Sequence, residues 1–136
     1  MPDWISLRVP GADGVRSVRA PLDAETTNAL VRAARTVHRH AWPKGTSPHY
    51  SVYVVLLEYV GARFRLYVGR TWHMPEERYA SHKAGTRDAG RVRLHGIGLL
   101  PALYRHLNPL DRDPSIEAEI KLAVALRATG MRVHQA

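Results

Sequence analysis

Thirteen residues lie between two tyrosine-bearing segments, Ser51-Val52-Tyr53 and Tyr67-Val68-Gly69, and Arg78 and His82 follow four residues apart. Phenol, guanidinium and imidazole groups are thereby gathered in one short stretch of a chain with 20 Lys and Arg against 12 Asp and Glu, a net charge of +8. Arginine pairs with phosphate oxygens through parallel N–H groups, and phenol and imidazole can each carry a proton, so the collection suits a phosphodiester. Taken singly, each residue has a plainer explanation. Tyr53 would be a strand packing residue, Tyr67 a cross-strand partner, and Arg78 and His82 surface residues of a helix. Only the combination outweighs those readings.

The elements that must position these groups follow from local patterns. Tyr50 to Tyr59 is rich in β-branched and aromatic residues, Gly61 offers a turn, and Arg63 to Val68 alternates in type, which predicts a β-hairpin. In its second strand Phe64, Leu66 and Val68 share one face, leaving Tyr67 on the other with Arg63 and Arg65. Pro75 suits a first helical position, Glu76 and Glu77 suit the positive end of the helix dipole, and Gly85 suits a stop, so a helix is predicted over Pro75 to Ala84. Arg78 and His82 then occupy one face of it.

Further along, Thr86 to Gly96 is basic and glycine-containing and reads as a mobile surface segment offering Arg87, Arg91 and Arg93 to phosphate. A helix is expected near Leu100 to Leu107, then a break at Asn108-Pro109. The last helix has Asp113 as its N-cap, Pro114 at its first position and Gly130 beyond its end, and Met131 to Gln135 returns as a short strand. Before all this, Ile5 to Val9 and Val15 to Arg19 can pair around a turn, and a helix over about Asp23 to His40 carries Leu30, Ala34 and Val37 on one stripe and Arg32, Arg35 and Arg39 on another. The Pro/Gly/Ser/Thr-rich stretch Trp42 to Pro48 separates an N-terminal extension, residues 1–48, from a domain over residues 49–136.

The last helix poses an electrostatic question. Its apolar arc is expected to hold Ile116, Ile120, Leu122, Ala123, Val124 and Leu126, with Glu119 inside that arc and Glu117 at its margin. An ionised carboxylate facing a core is costly unless a cation, donors or water compensates it. An arginine and a metal ion answer that need equally well for Glu119, whereas Glu117 reads as solvated.

At 136 residues the chain suits one domain with an elaboration, and with a sequence pI near 10.4 a polyanionic partner is the first expectation, nucleic acid before others. Arg65, Arg70, Lys83, Arg87, Arg91 and Arg93 are the candidate contacts. The absence of cysteine excludes disulfides and thiolate metal sites. No apolar run approaches membrane-spanning length, and a cytoplasmic protein is expected. The remaining histidines have no convincing metal-ligand spacing; His38 and His40 read as surface residues. Trp4 and Trp42 read as core, and Trp72, directly after the second tyrosine motif, as a neighbour of the cleft.

Together, Ser51-Val52-Tyr53, Tyr67-Val68-Gly69-Arg70-Thr71, the run Pro75 to Lys83 and Ala118-Glu119 resemble the GIY-YIG nuclease superfamily, specifically its small bacterial stand-alone members. The likeness covers about Tyr50 to Gln135. It implies an α/β (α+β) fold, a small antiparallel β-sheet flanked by helices, here with an N-terminal helical extension. It also implies divalent-metal-dependent hydrolysis of phosphodiester bonds in DNA, with Mg²⁺ or Mn²⁺. By position Tyr53 and Tyr67 match the family tyrosines, Arg78 its arginine, His82 its His/Tyr position and Glu119 its metal-binding carboxylate, Glu117 being the fallback. Tyr53 is then the base, its phenol lowered by a cation from Arg65 or Arg70, with Tyr67 orienting water or phosphate. Serine replaces the first glycine of the motif, and Gln135 is the candidate for the Asn/Gln that often follows the glutamate. A catalytically inactive nucleic-acid-binding module of the same fold is the rival expectation.

Overall fold

The computed structural model describes residues 6–11, 14–19, 22–38, 49–61, 64–85 and 90–136. Its strands are β1 (Ser6–Gly11), β2 (Gly14–Arg19), β3 (Ser51–Leu57), β4 (Arg65–Thr71), β5 (Gly96–Leu99) and β6 (Val133–Gln135). Its helices are α1 (Ala24–His38), α2 (Pro75–Ala84), α3 (Gly90–His95) and α4 (Arg112–Arg127). The strands join into one mixed sheet in the order β2-β1-β5-β3-β4-β6, antiparallel throughout except where β6 lies parallel to β4. The fold is therefore α+β, with a mostly antiparallel sheet and helices packed against it.

β3 is the spine. Every one of its residues is buried, so both faces of the sheet are covered there, consistent with its Val/Leu-rich run. The hairpin it forms with β4 pairs Tyr53 with Gly69 and Val55 with Tyr67, and Gly61 supplies the positive φ of 71° at the turn. Asn108 extends the ladder from outside: its side chain accepts from the Val52 N–H and donates to the Val52 carbonyl, both at 2.8 Å. α2 starts at Pro75 and ends at Gly85, whose φ of 77° lets its N–H return to the carbonyls of His82 and Ser81.

The N-terminal hairpin does not stand apart from this sheet. β1 pairs with β5 through Arg8 and Leu99, and α1 packs against α4. Asp23 caps α1, accepting from the Thr26 N–H at 2.7 Å, and Leu30, Ala33 and Ala34 are buried while Arg32 and Arg35 face outward. The expected positions of Trp4, Arg39, His40, Trp42 and Arg63, with the side chains of Val37 and His38, lie outside the described residues.

Several sequence expectations are corrected. Within the segment read as mobile, residues 90–96 form α3 and the start of β5, a strand between β1 and β3. Gly96, at the end of that segment, permits close approach instead, as does Gly98 beyond it. A Cβ on Gly96 would sit 2.6 Å from the Val92 carbonyl oxygen, and one on Gly98 would sit 2.9 Å from Val9 Cγ1. The helix expected over Leu100 to Leu107 is two 3₁₀ turns, Pro101–Leu103 and Arg105–Leu107, separated by Tyr104 at φ −142°, outside the helical region. α4 begins two residues earlier than expected, at Arg112 rather than Pro114, with Asp111 rather than Asp113 in the cap position. Its buried face consists of Ser115, Ala118, Leu122, Ala123 and Leu126, whereas Ile120 and Val124 are 52% and 59% exposed. That face, three small side chains and two leucines, packs on both the sheet and α1.

Candidate active site

Tyr53 packs against the backbone of β4 at Gly69. A Cβ on Gly69 would overlap the Cζ and hydroxyl oxygen of Tyr53, so only glycine at this register leaves the ring its place. Tyr67, two residues earlier on the same face of β4, brings its ring centroid within 6.3 Å of that of Tyr53. His82 closes the triangle from α2, 6.3 Å from Tyr53 and 6.4 Å edge-on to Tyr67. The Tyr53 hydroxyl and His82 Nε2 share a hydrogen bond of 3.0 Å whose proton belongs to either partner according to the imidazole tautomer. Exposures of 2%, 7% and 4% for Tyr53, Tyr67 and His82 make this a buried polar cluster.

Arg78 and Glu119 stand nearer to solvent. Arg78, half-buried one helical turn before His82, donates its Nε–H to Thr71 Oγ1 at 3.1 Å, and Thr71 also accepts from the His73 N–H at 3.0 Å. Thr71 closes the second tyrosine motif, and the motif alone assigns it no role. The signal for one is its place two residues beyond Gly69, on the tyrosine face of β4. Glu119 has a side-chain exposure of 13% and meets Arg70 Nε at 3.8 Å, so the arginine partner is present as a long ion pair. Glu117 is 61% exposed and pairs with Lys121 along the helix, the solvated arrangement expected of it.

Electrostatics tie the set together. Burial drives the Tyr53 phenol well above the ordinary tyrosine range; Tyr67 and Glu119 add to the rise, and Arg78 opposes it. The expectation that Arg65 or Arg70 lowers this phenol is corrected. The cation acting on Tyr53 is Arg78, and it loses to desolvation because removing a phenolate from water costs more than one half-solvated guanidinium returns. Burial likewise raises the Glu119 carboxyl above its usual range, with Arg70 only partly offsetting it. A carboxylate whose charge is under-compensated can accept a further cation.

Among the described residues no three His, Cys, Asp or Glu side chains converge as a metal-binding group. A hard cation held here would therefore rest on Glu119 and keep most of its waters, the coordination habit of Mg²⁺. Two clefts open near β6, and neither is lined by members of the tyrosine cluster.

The candidate nucleic-acid contacts are distributed unequally. Arg70 is drawn to Glu119 and lies over the Tyr50 ring at 5.3 Å, and Lys83 donates to the carbonyls of Arg93 and Gly96 at 3.1 and 2.9 Å, tying α2 to α3 and β5. Arg91 and Arg93 are exposed on α3, Arg65 is half-buried, and Arg87 lies outside the described residues. Trp72 is 66% exposed beside the site, and Gln135 is bonded to Arg127 at 3.2 Å. Comparison with protein-family models, with curated proteins and with solved structures returns no significant match. Among the described residues no helix is long and apolar enough to cross a membrane.

Proposed function

We propose that this chain is a divalent-metal-dependent endonuclease of the GIY-YIG type that hydrolyses phosphodiester bonds in DNA and works in the cytoplasm. One observation carries the reading. Groups from β4, α2 and α4 act on a single phenolic hydroxyl of β3, that of Tyr53: it bonds His82 Nε2 at 3.0 Å, and Tyr67, Arg78 and Glu119 each shift its acidity. A fold has no structural need to gather two phenols, an imidazole, a guanidinium and a carboxylate at one point, since each buried polar group must be satisfied at some cost.

In this mechanism the scissile phosphate meets Arg78 first. Its Nε is oriented by Thr71, which leaves the terminal N–H groups to pair with phosphate oxygens, and the pairing strengthens as charge builds in the five-coordinate state. Tyr53 takes the proton from the attacking water and passes its own to His82, a transfer the 3.0 Å contact permits when Nε2 is unprotonated. That relay removes the need for a standing phenolate, which burial forbids at neutral pH. Tyr67, its ring 6.3 Å from that of Tyr53, orients the water. Glu119 would hold Mg²⁺ or Mn²⁺, which when bound supplies Lewis-acid stabilisation of the departing oxygen.

The raised pKa of Tyr53 also favours a second reading, a catalytically silent nucleic-acid-binding module that keeps the cluster without turnover. Incubation of purified protein with supercoiled plasmid, with Mg²⁺ or with EDTA, decides between them. Metal-dependent nicking that Glu119→Ala removes is the outcome expected of the enzyme. Binding with no cleavage at any metal concentration would establish the module instead.

A further inference from the structure

A cleft of about 420 Å³ opens beside β6, and its polar lining is Arg65, Arg91, Arg127, Arg132 and His134. The arginines come from β4, from α3, from α4 and from the turn before β6, so four separate parts of the chain deliver like charges to one place. Such clustering is opposed by mutual repulsion unless something holds each group or an anion relieves it.

What holds three of them, Arg65, Arg91 and Arg127, is neutral. The Arg65 guanidinium lies 4.2 Å over the Tyr59 ring, and Arg91 Nη1 donates to the hydroxyl of the same tyrosine at 3.0 Å. Tyr59 is itself stacked on His95 with centroids 3.8 Å apart. Arg127 donates to the Val133 carbonyl at 2.9 Å and to Gln135 Oε1 at 3.2 Å. Among the described residues no carboxylate is ion-paired with any of the four. The cleft thus presents guanidinium forks that no described carboxylate pairs with, the arrangement that recognises phosphate bidentately; Glu25 lines the neighbouring cleft with Arg65 and Arg132.

His134 stands within this field. Its buried Nε2 has no hydrogen-bond partner, and burial together with Arg91, Arg65, Arg132 and Arg127 lowers its pKa. The imidazole therefore reports the net charge of the cleft. Position supplies a last argument: His134 is aligned with Tyr67 in the β4–β6 register, and Arg65 precedes Tyr67 by two residues on the same strand face, about 7 Å of strand. The cleft adjoins the tyrosine cluster on one side of the sheet.

We infer that this cleft is a phosphate-binding subsite that grips the nucleic-acid strand next to the bond presented to Tyr53, with Arg65, Arg91, Arg127 and Arg132 as its phosphate ligands. The identity of the strand rests on the endonuclease reading; the affinity for phosphate does not. An internal diester and a terminal monophosphate share the same chemistry here, and the test separates them.

Binding of a labelled single-stranded oligonucleotide is measured by anisotropy in EDTA, with and without a 5′-phosphate, for the natural chain, Arg132→Gln and Arg91→Gln. Each variant is expected to weaken binding about tenfold and to reduce the slope of log affinity against log salt by about 0.7 for each phosphate it no longer engages. Preference for the 5′-phosphorylated strand in the natural chain alone assigns a terminal phosphate, and equal binding assigns an internal one. In parallel, NMR titration of His134 in the natural chain should show its pKa rising when inorganic phosphate is added, which requires no variant to fold. Affinities and salt slopes unchanged in both variants, with a His134 titration indifferent to phosphate, would overturn the subsite whatever the plasmid assay shows. Loss of the endonuclease reading would look different: no metal-dependent nicking, with the phosphate response of His134 intact.

Discussion

The tyrosine cluster and the arginine cleft adjoin on one face of one sheet, yet they treat charge in opposite ways. In the cluster, polar groups are buried against one another, and burial raises both the Tyr53 phenol and the Glu119 carboxyl above their ordinary ranges. In the cleft, guanidinium groups rest on neutral supports, and burial with the surrounding arginines lowers the pKa of His134. The difference separates two tasks. A low-dielectric cluster magnifies every interaction within it and suits bond-breaking, whereas a solvated basic cleft attracts and orients a polyanion without committing it.

The largest effect expected is on catalysis. Glu119→Ala should lower metal-dependent nicking by about 10²- to 10³-fold, the usual loss for one electrostatic stabiliser of a transition state, while Glu117→Ala stays within a factor of about two in the same assay, as expected of an exposed ion-paired residue. Reversal of that order would transfer the role to Glu117 and dissolve the contrast between the two carboxylates.

Gly69→Ala should be next. The added methyl collides with the Tyr53 ring, so overpacking should cost about 1–3 kcal/mol, read as a lower midpoint in a denaturant melt, with nicking reduced alongside. A melt indistinguishable from the natural protein would mean that the ring does not lie across β4.

Glu119→Gln offers a sharper test, because function and stability should move in opposite directions. The folded carboxyl titrates above its unfolded value, so the protonated form is the one folding favours. Its contribution is complete below the unfolded pKa and is lost as pH rises through the folded one. At pH 7 in EDTA the glutamine variant, neutral throughout, should therefore melt at a higher temperature than the natural chain, and the gap should close as pH falls through the carboxylate range. A lower melting temperature at neutral pH would show that Arg70 more than compensates the charge.

The smallest effect concerns Lys83. Its ammonium holds two backbone carbonyls, so Lys83→Gln should cost about 1 kcal/mol of stability and leave oligonucleotide affinity within about twofold, in contrast to Arg91→Gln. A tenfold loss of affinity with an unchanged melt would return Lys83 to the binding surface.

Much of the site was legible locally. Alternation in β4 placed Tyr67 opposite Phe64, Leu66 and Val68; Pro75 and Gly85 marked the ends of α2 and with them the shared face of Arg78 and His82; helical periodicity distinguished Glu119 from Glu117. Where local patterns misled, the same residue types had two meanings. Gly96 looked like the end of a flexible stretch and instead opens the close-packed strand β5, and Ile120 and Val124 looked like core and face solvent, while Ser115 and Ala118 are buried. The sequence offered Arg65 and Arg91 as phosphate contacts, but nothing in it joined them to Arg127 and Arg132, since the four belong to no common period.

By itself, then, the sequence determined the basic charge, the hairpin, the ends of α2 and the identity of the groups available for chemistry, because steric alternation, capping and helix dipoles act over a few residues. Tertiary structure alone decided that Glu119 acts on Tyr53, that β5 enters the middle of the sheet, that β6 runs parallel to β4, and that four arginines face one cleft. Those outcomes depend on which distant segments bury surface and exchange hydrogen bonds with one another, and no short window of residues encodes that choice.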